Sequence, residues 1–264
     1  VNDRDDAATV LLIHGSLIDA RAWNSQRDAL GARYRVLAPS LRHCYPERWD
    51  GTGDDFSVEQ HAADLAALID AQGVAPAHVV GHSRGGAVAI QLALTYPHRI
   101  RSLVLADPGG LEALLPDTAE GHAMATESAA MFARLAADLA DGDHERAARN
   151  FAEALGGPGA WERRSPEQRQ WLLDNITTGP ACAQRPHWPR DMLSTLPGPI
   201  LLVTGARSPR RYPLMLAELA RIKPRVQQIV TIPDAAHAMN RENPAAFNAA
   251  VLRFLDTVDS ANPR

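Results

Sequence analysis

At 264 residues with 45% hydrophobic content, the chain is long enough to bury one large α/β core, and 27 basic against 31 acidic residues leave a formal charge of −4. That balance excludes a basic field for nucleic acid, and no apolar run reaches the length needed to span a membrane. The two cysteines, Cys44 and Cys182, have no metal-like spacing, so zinc is not expected, and whether they pair is left open.

The opening stretch Val1, Asn2, Asp3, Arg4, Asp5 and Asp6 lacks the basic-then-apolar layout of a signal peptide, so a reducing cytoplasm is the expected location; the missing initiator Met implies trimming or processing. Residues 9–13 are a continuous apolar run closed by His14 and Gly15, which suits a strand buried on both faces of a parallel sheet. A helix with Trp23 and Leu30 on one face is predicted over residues 20–32, and residues 34–39 read as the next strand. Residues 40–55, rich in Arg, His, Pro, Gly and Asp, break the pattern and predict a long loop. Ser57, with Gln60 three residues later, has the form of a capping box before an amphipathic run through Leu65, Leu68 and Ile69. His78, Val79 and Val80 begin a third strand, residues 86–96 a helix, and residues 101–106 a fourth strand ending at Asp107.

From residue 111 to 196 no strand pattern occurs; Ala, Leu, Met and charged residues recur at helical spacing. Sheet rhythm returns at residues 199–205, followed by a helix over 212–222, a strand over 226–232 and a last helix over 244–258. The alternation predicts an α/β fold, a mostly parallel central sheet with helices on both faces, in which residues 1–110 and 197–264 form the core and 111–196 a helical lid insertion.

Between the third strand and its helix stands Gly81-His82-Ser83-Arg84-Gly85, a Gly-x-Ser-x-Gly turn. Small residues two positions before and after a serine let strand and helix approach closely enough to leave it in strained backbone, exposed at the sheet edge. Together with His14-Gly15-Ser16 after the first strand, an acid at a later strand end, and His237 just past the last strand, this turn makes the chain resemble an α/β-hydrolase over nearly its full length.

The resemblance implies a triad in the order serine, acid, histidine: Ser83 as nucleophile, His237 as base and an acid that holds His237 in the useful tautomer. The commonest acid position in the family lies a few residues beyond Gly205, where this chain reads Ala206-Arg207-Ser208-Pro209-Arg210-Arg211 and offers no carboxylate. A second arrangement, used by haloalkane dehalogenases and zearalenone-type lactonases, places the acid after the strand that follows the nucleophile's helix, and Asp107 fits it. An ordinary turn aspartate before Pro108 is the competing role, with Glu112 and Asp234 in reserve. By the same resemblance the backbone N–H groups of Ser16 and Arg84 form the oxyanion hole.

The lid would cover the C-terminal strand ends, with Trp161, Trp188 and Met131 as candidate substrate contacts among apolar residues that mostly build the lid's own core. Arg42 and the group Arg207, Arg210 and Arg211 read as solvated charge, with reception of an acidic substrate group as the alternative. With only residues 1–8 ahead of the first strand, leading strands that the family commonly carries are expected to be missing or truncated. The resemblance thus implies cleavage of a largely apolar, small-molecule carboxylic ester or lactone through an acyl-enzyme, without cofactor or metal, by a monomer or homodimer that engages neither nucleic acid nor membrane. Competing readings are carbon–carbon bond hydrolysis or cofactor-free oxygen chemistry on the same fold, and a hydrolase-like receptor with little turnover.

Overall fold

The computed structural model describes residues 7–184, 186–223 and 225–261. Its centre is a six-stranded sheet in the order β2-β1-β3-β4-β5-β6, formed by β1 (Thr9–Ile13), β2 (Arg35–Leu37), β3 (Ala77–His82), β4 (Ile100–Ala106), β5 (Ile200–Gly205) and β6 (Val226–Ile232). Every neighbouring pair is parallel. The described residues ahead of β1 carry no strand.

The unbroken apolar strands follow from burial on both faces. Leu11 and Ile13 of β1 enter one core cluster with Val79, Leu103 and Leu202, whereas Val10 and Leu12 enter the other with Val80, Val104 and Val203. On the first face lie α2 (Val58–Ala71), α3 (Arg84–Thr95) and α8 (Arg211–Ile222); on the second lie α1 (Asn24–Gly31) and α10 (Pro244–Ala261), which contributes Phe247, Val251 and Leu255.

Between β4 and β5 the described residues contain no strand; they form α4 (Ala119–Ala140), α5 (His144–Gly156), α6 (Pro166–Asp174) and α7 (Arg190–Ser194), with 3-10 turns between them. Their apolar side chains, among them Met131, Phe151 and Leu155, join the first cluster, so this segment packs onto the sheet's core. Capping fixes its helix starts: Ser165 accepts from the Gln168 amide while the Gln168 side chain accepts from the Ser165 amide, with Pro166 at the first helical position. At Ser57 only half of the expected box forms. Ser57 Oγ accepts from the Gln60 amide at 2.9 Å, but the Gln60 side chain turns along the helix to Asp64.

Register aligns the strand ends that matter. Ile13 pairs with Gly81, His82 with Ala106, Ala106 with Val203, and Gly205 with Ile232, so the loops after β1, β3, β4, β5 and β6 emerge at one edge of the sheet. The short α9 (Met239–Glu242) follows the last of these loops.

Candidate active site

Ser83 sits between β3 and α3 with φ 55° and ψ −121°, a conformation that costs an L-residue about 1–3 kcal/mol. The surroundings enforce it. Ser83 N–H donates to the Ala106 carbonyl at 2.9 Å, and its own carbonyl accepts from the amides of Gly86, Ala87 and Gly109. A Cβ on Gly81 would lie 2.3 Å from the Gly85 carbonyl oxygen, and one on Gly85 would lie 2.1 Å from that of Ile13, so both positions require glycine.

At the end of neighbouring β4, Asp107 takes φ 40° and is fully buried. Its Oδ2 lies 3.1 Å from His237 Nδ1 and accepts a 2.6 Å hydrogen bond from Ser208 Oγ, which in turn accepts from the Gly205 amide at 3.0 Å. The His237 ring lies between Tyr212, stacked at 4.7 Å, and His82 at 4.8 Å. His82 Nε2 donates to the His237 carbonyl at 2.7 Å; burial pushes the His82 pKa down to about 3, so its ring stays neutral and keeps that tautomer.

Burial also lowers the His237 pKa well below its ordinary value, helped by the nearby guanidinium groups of Arg211, Arg241 and Arg164. Burial pushes the Asp107 carboxyl up to about 7, against the pull of the Ser208 hydrogen bond. Both shifts have the same physical origin, the cost of charge in a dry site. A neutral imidazole whose Nδ1–H faces Asp107 presents the Nε2 lone pair on its other side, and His237 Nε2 is buried without a hydrogen-bond partner among the described residues. Ser83 and His237 line the same cavity. In an unliganded site such a serine–histidine bond is often long and tightens only when substrate is bound.

Gly15 lies against the serine, since a Cβ there would be 3.1 Å from Ser83 Cβ. Arg84 opens α3, so its amide has no intrahelical partner. Its side chain points away, with Nη2 donating to the Phe56 carbonyl at 3.2 Å and the guanidinium 4.6 Å from the Phe56 ring centroid. Among the described residues, neither the Ser16 nor the Arg84 amide is taken up by a backbone hydrogen bond in a turn or loop.

Ser16 and Ser83 line two adjoining chambers of about 30 Å³ each. Gly15 and His237 line the first, Met131, Phe132 and Tyr212 the second, and Phe151 and Leu155 of α5 both. Of the three expected substrate contacts only Met131 stands in these walls. Trp161 and Trp188 are elsewhere: Trp188 packs against the core, its Nε1 donating to Gln91 of α3 at 3.0 Å and its ring covering Gly110, while Trp161 is buried beside Arg149 and Arg169. Neither reserve acid contacts His237 through a hydrogen bond; Glu112 accepts from Ser128, and Asp234 occupies a positive-φ turn. Arg42 pairs with Asp55 and Asp64, Arg210 with Glu120, and Arg207 binds the Asp234 carbonyl, whereas Arg211 is buried near His237.

His82, which the sequence places beside the site as a structural hydrogen-bonding residue, has that role here, whereas sequence reasoning missed Ser208, Tyr212, Arg164 and Arg241 as parts of this site. Ser208 had a signal, since it falls where the family's usual acid would be. Arg241 follows His237 by four residues, but nothing in the sequence turns it toward the cavity. Among the described residues, no group of three or more His, Cys, Asp or Glu is placed to hold a metal ion, and no helix is long and apolar enough to cross a membrane.

A thermophilic esterase from Thermogutta terrifontis superposes with a TM-score of 0.76 at 29% identity, over 96% of this chain and 90% of the other. An enol-lactonase from Burkholderia xenovorans LB400, at 21% identity and a TM-score of 0.75 over 96% and 94% of the two chains, shares the fold. By sequence, 2-hydroxy-6-oxo-6-phenylhexa-2,4-dienoate hydrolase from Burkholderia cepacia is 33% identical over 44% of this chain and 41% of its own length. Lipase LipV from Mycobacterium tuberculosis is 39% identical over 38% of this chain and 37% of its own. These matches thus span well under half of the curated relatives. The profile of the Alpha/beta hydrolase family matches residues 10–250, and the chain belongs to that family.

Proposed function

We propose that this chain hydrolyses a small-molecule carboxylic ester or lactone through an acyl-enzyme, with Ser83 as nucleophile, His237 as general base and acid, and Asp107 as the residue that orients and charge-stabilises the imidazole. The observation that carries this reading is the 3.1 Å contact between Asp107 Oδ2 and His237 Nδ1 beside a strained serine in the wall of the same cavity.

Ser83 Oγ attacks the carbonyl carbon as His237 Nε2 takes its proton. Negative charge on the former carbonyl oxygen is met by the N–H groups of Ser16 and Arg84, donors of a kind whose loss costs about 2.7–4 kcal/mol in comparable sites. The imidazolium, steadied by Asp107, returns the proton to the departing alkoxide, and the alcohol leaves. A water, deprotonated by His237, then attacks the acyl carbon, releasing the acid and restoring Ser83. Residues 111–196 serve as the lid, since Met131, Phe151 and Leu155 close the chambers with apolar surface that excludes bulk water.

Turnover of a short 4-nitrophenyl ester and covalent labelling by a fluorophosphonate test the assignment. Ser83→Ala is expected to abolish both. Undiminished turnover in that variant refutes the mechanism.

A further inference from the structure

The first chamber has a charged end that the triad does not use. Arg164, from the turn before α6, and Arg241, from α9, line it together with Ser83 and His237. Both also line a larger cavity of about 310 Å³ that adjoins the first, so they stand at the mouth of the catalytic chamber. The larger cavity adds Arg163 and Arg207 against Asp234.

These two guanidinium groups lack the partners that such groups normally have. The Nε atoms of Arg164 and Arg241 are buried without a hydrogen-bond partner among the described residues, and neither side chain forms a salt bridge there. Arg164 spends Nη1 on the Ala160 carbonyl. The nearby acids are Glu242 and Glu153, but Glu242 Oε2 is held by the Ala236 amide at 2.6 Å and Glu153 Oε1 by that of Trp161 at 3.0 Å. Burial lowers the pKa of both arginines, helped at Arg164 by the neighbouring Arg163 and at Arg241 by Arg164; that of Arg241 falls to about 10, and both guanidinium groups remain charged at neutral pH. Two partly desolvated cations left facing one cavity favour an anion between them, and a planar guanidinium suits a carboxylate.

We infer that Arg164 and Arg241 form an anion subsite that binds a free carboxylate on the substrate, making the preferred substrate an ester or lactone that carries an acid group a few carbons from the scissile carbonyl. This deepens the proposed function and rests on Ser83 being the nucleophile, because the subsite and the serine bound the same narrow chamber. The wide cavity outside, with four arginines against Asp234 and Glu242, draws such an anion inward.

The test compares mono-4-nitrophenyl glutarate with 4-nitrophenyl valerate, which has a similar chain and no charge. The wild-type chain is expected to favour the glutarate ester at least tenfold in kcat/KM. Arg241→Gln and Arg164→Gln are each expected to cut that ratio at least tenfold, mainly through a higher KM for the acid. Free glutarate, a product analogue, is expected to raise the wild-type Tm and to raise that of Arg241→Gln far less, a readout that needs no turnover. Equal use of the two esters by the wild type, or no stabilisation by glutarate, overturns the subsite. Fluorophosphonate labelling of Ser83 separates the two claims: a labelled enzyme without acid preference loses the subsite alone, and an unlabelled one that glutarate still stabilises loses the nucleophile alone.

Discussion

Asp107→Asn removes one charge at the most enclosed point of the site and changes little else in volume. In the structure the carboxylate Oδ2 is shared by His237 Nδ1 at 3.1 Å and Ser208 Oγ at 2.6 Å, while Oδ1 is buried without a hydrogen-bond partner among the described residues. An asparagine there can turn its NH₂ toward Nδ1, and the histidine then carries its proton on Nε2, where it cannot accept one from Ser83. The equivalent change in a serine protease triad costs about 10⁴-fold in kcat, or roughly 5.5 kcal/mol in the barrier. A loss of about 10³–10⁴-fold in kcat on a short aryl ester is expected, with slowed fluorophosphonate labelling. Stability is expected to move the other way. Burial raises the folded-state pKa of Asp107 to about 7, above its unfolded value of 3.8, so its contribution to stability is lost as pH rises toward 7. The asparagine variant escapes this loss, so its Tm relative to wild type is expected to rise between pH 4 and 7. Activity within about tenfold of wild type, a shift of only ~1.4 kcal/mol, shows that Asp107 is not the orienting acid.

Two further changes probe the supports of the pair. Ser208→Ala deletes the hydrogen bond that favours the ionised carboxylate, so the Asp107 pKa is expected to rise and the acidic limb of the kcat/KM profile to move about one unit to higher pH, equivalent to ~1.4 kcal/mol. An unmoved limb removes Ser208 from that role. Gly85→Ala places a Cβ 2.1 Å from the Ile13 carbonyl oxygen, a backbone atom that cannot swing aside, and is expected to lower stability by about 3 kcal/mol or more in urea unfolding. A midpoint close to wild type refutes the close-approach argument.

The sheet was legible in the sequence because parallel strands buried on both faces read as continuous apolar runs, and all six expected strands occur within two residues of their expected ends. Glycine spacing likewise marked the elbow, since its cause is local steric contact. What the sequence concealed lies in side-chain direction across long separations. Trp161 and Trp188 are large, apolar and lie within residues 111–196, yet both are buried in packing contacts away from the chambers, and no periodicity distinguishes those two fates. Arg164 and Arg241 belong to segments far apart in the chain, so their meeting depends on how the insertion packs against α9.

With Asp107 as the proposed acid, the sheet gives a physical reason why two strands could supply the same group. β4 and β5 are neighbours in the sheet, with Ala106 opposite Val203, so the loops that leave them run side by side. Asp107 begins the first loop and Ser208 lies in the second, and their side chains are joined by a 2.6 Å hydrogen bond. A carboxylate on either loop therefore reaches the same small volume beneath the imidazole, and His237, arriving after β6, needs one acceptor at Nδ1 whichever strand supplies it. Here the carboxylate follows β4, and the loop after β5 contributes the hydroxyl that favours its ionised form against the cost of burial. The serine at the family's usual acid position is thus a hydrogen-bond partner of Asp107, and the pair spans the boundary between the two strands.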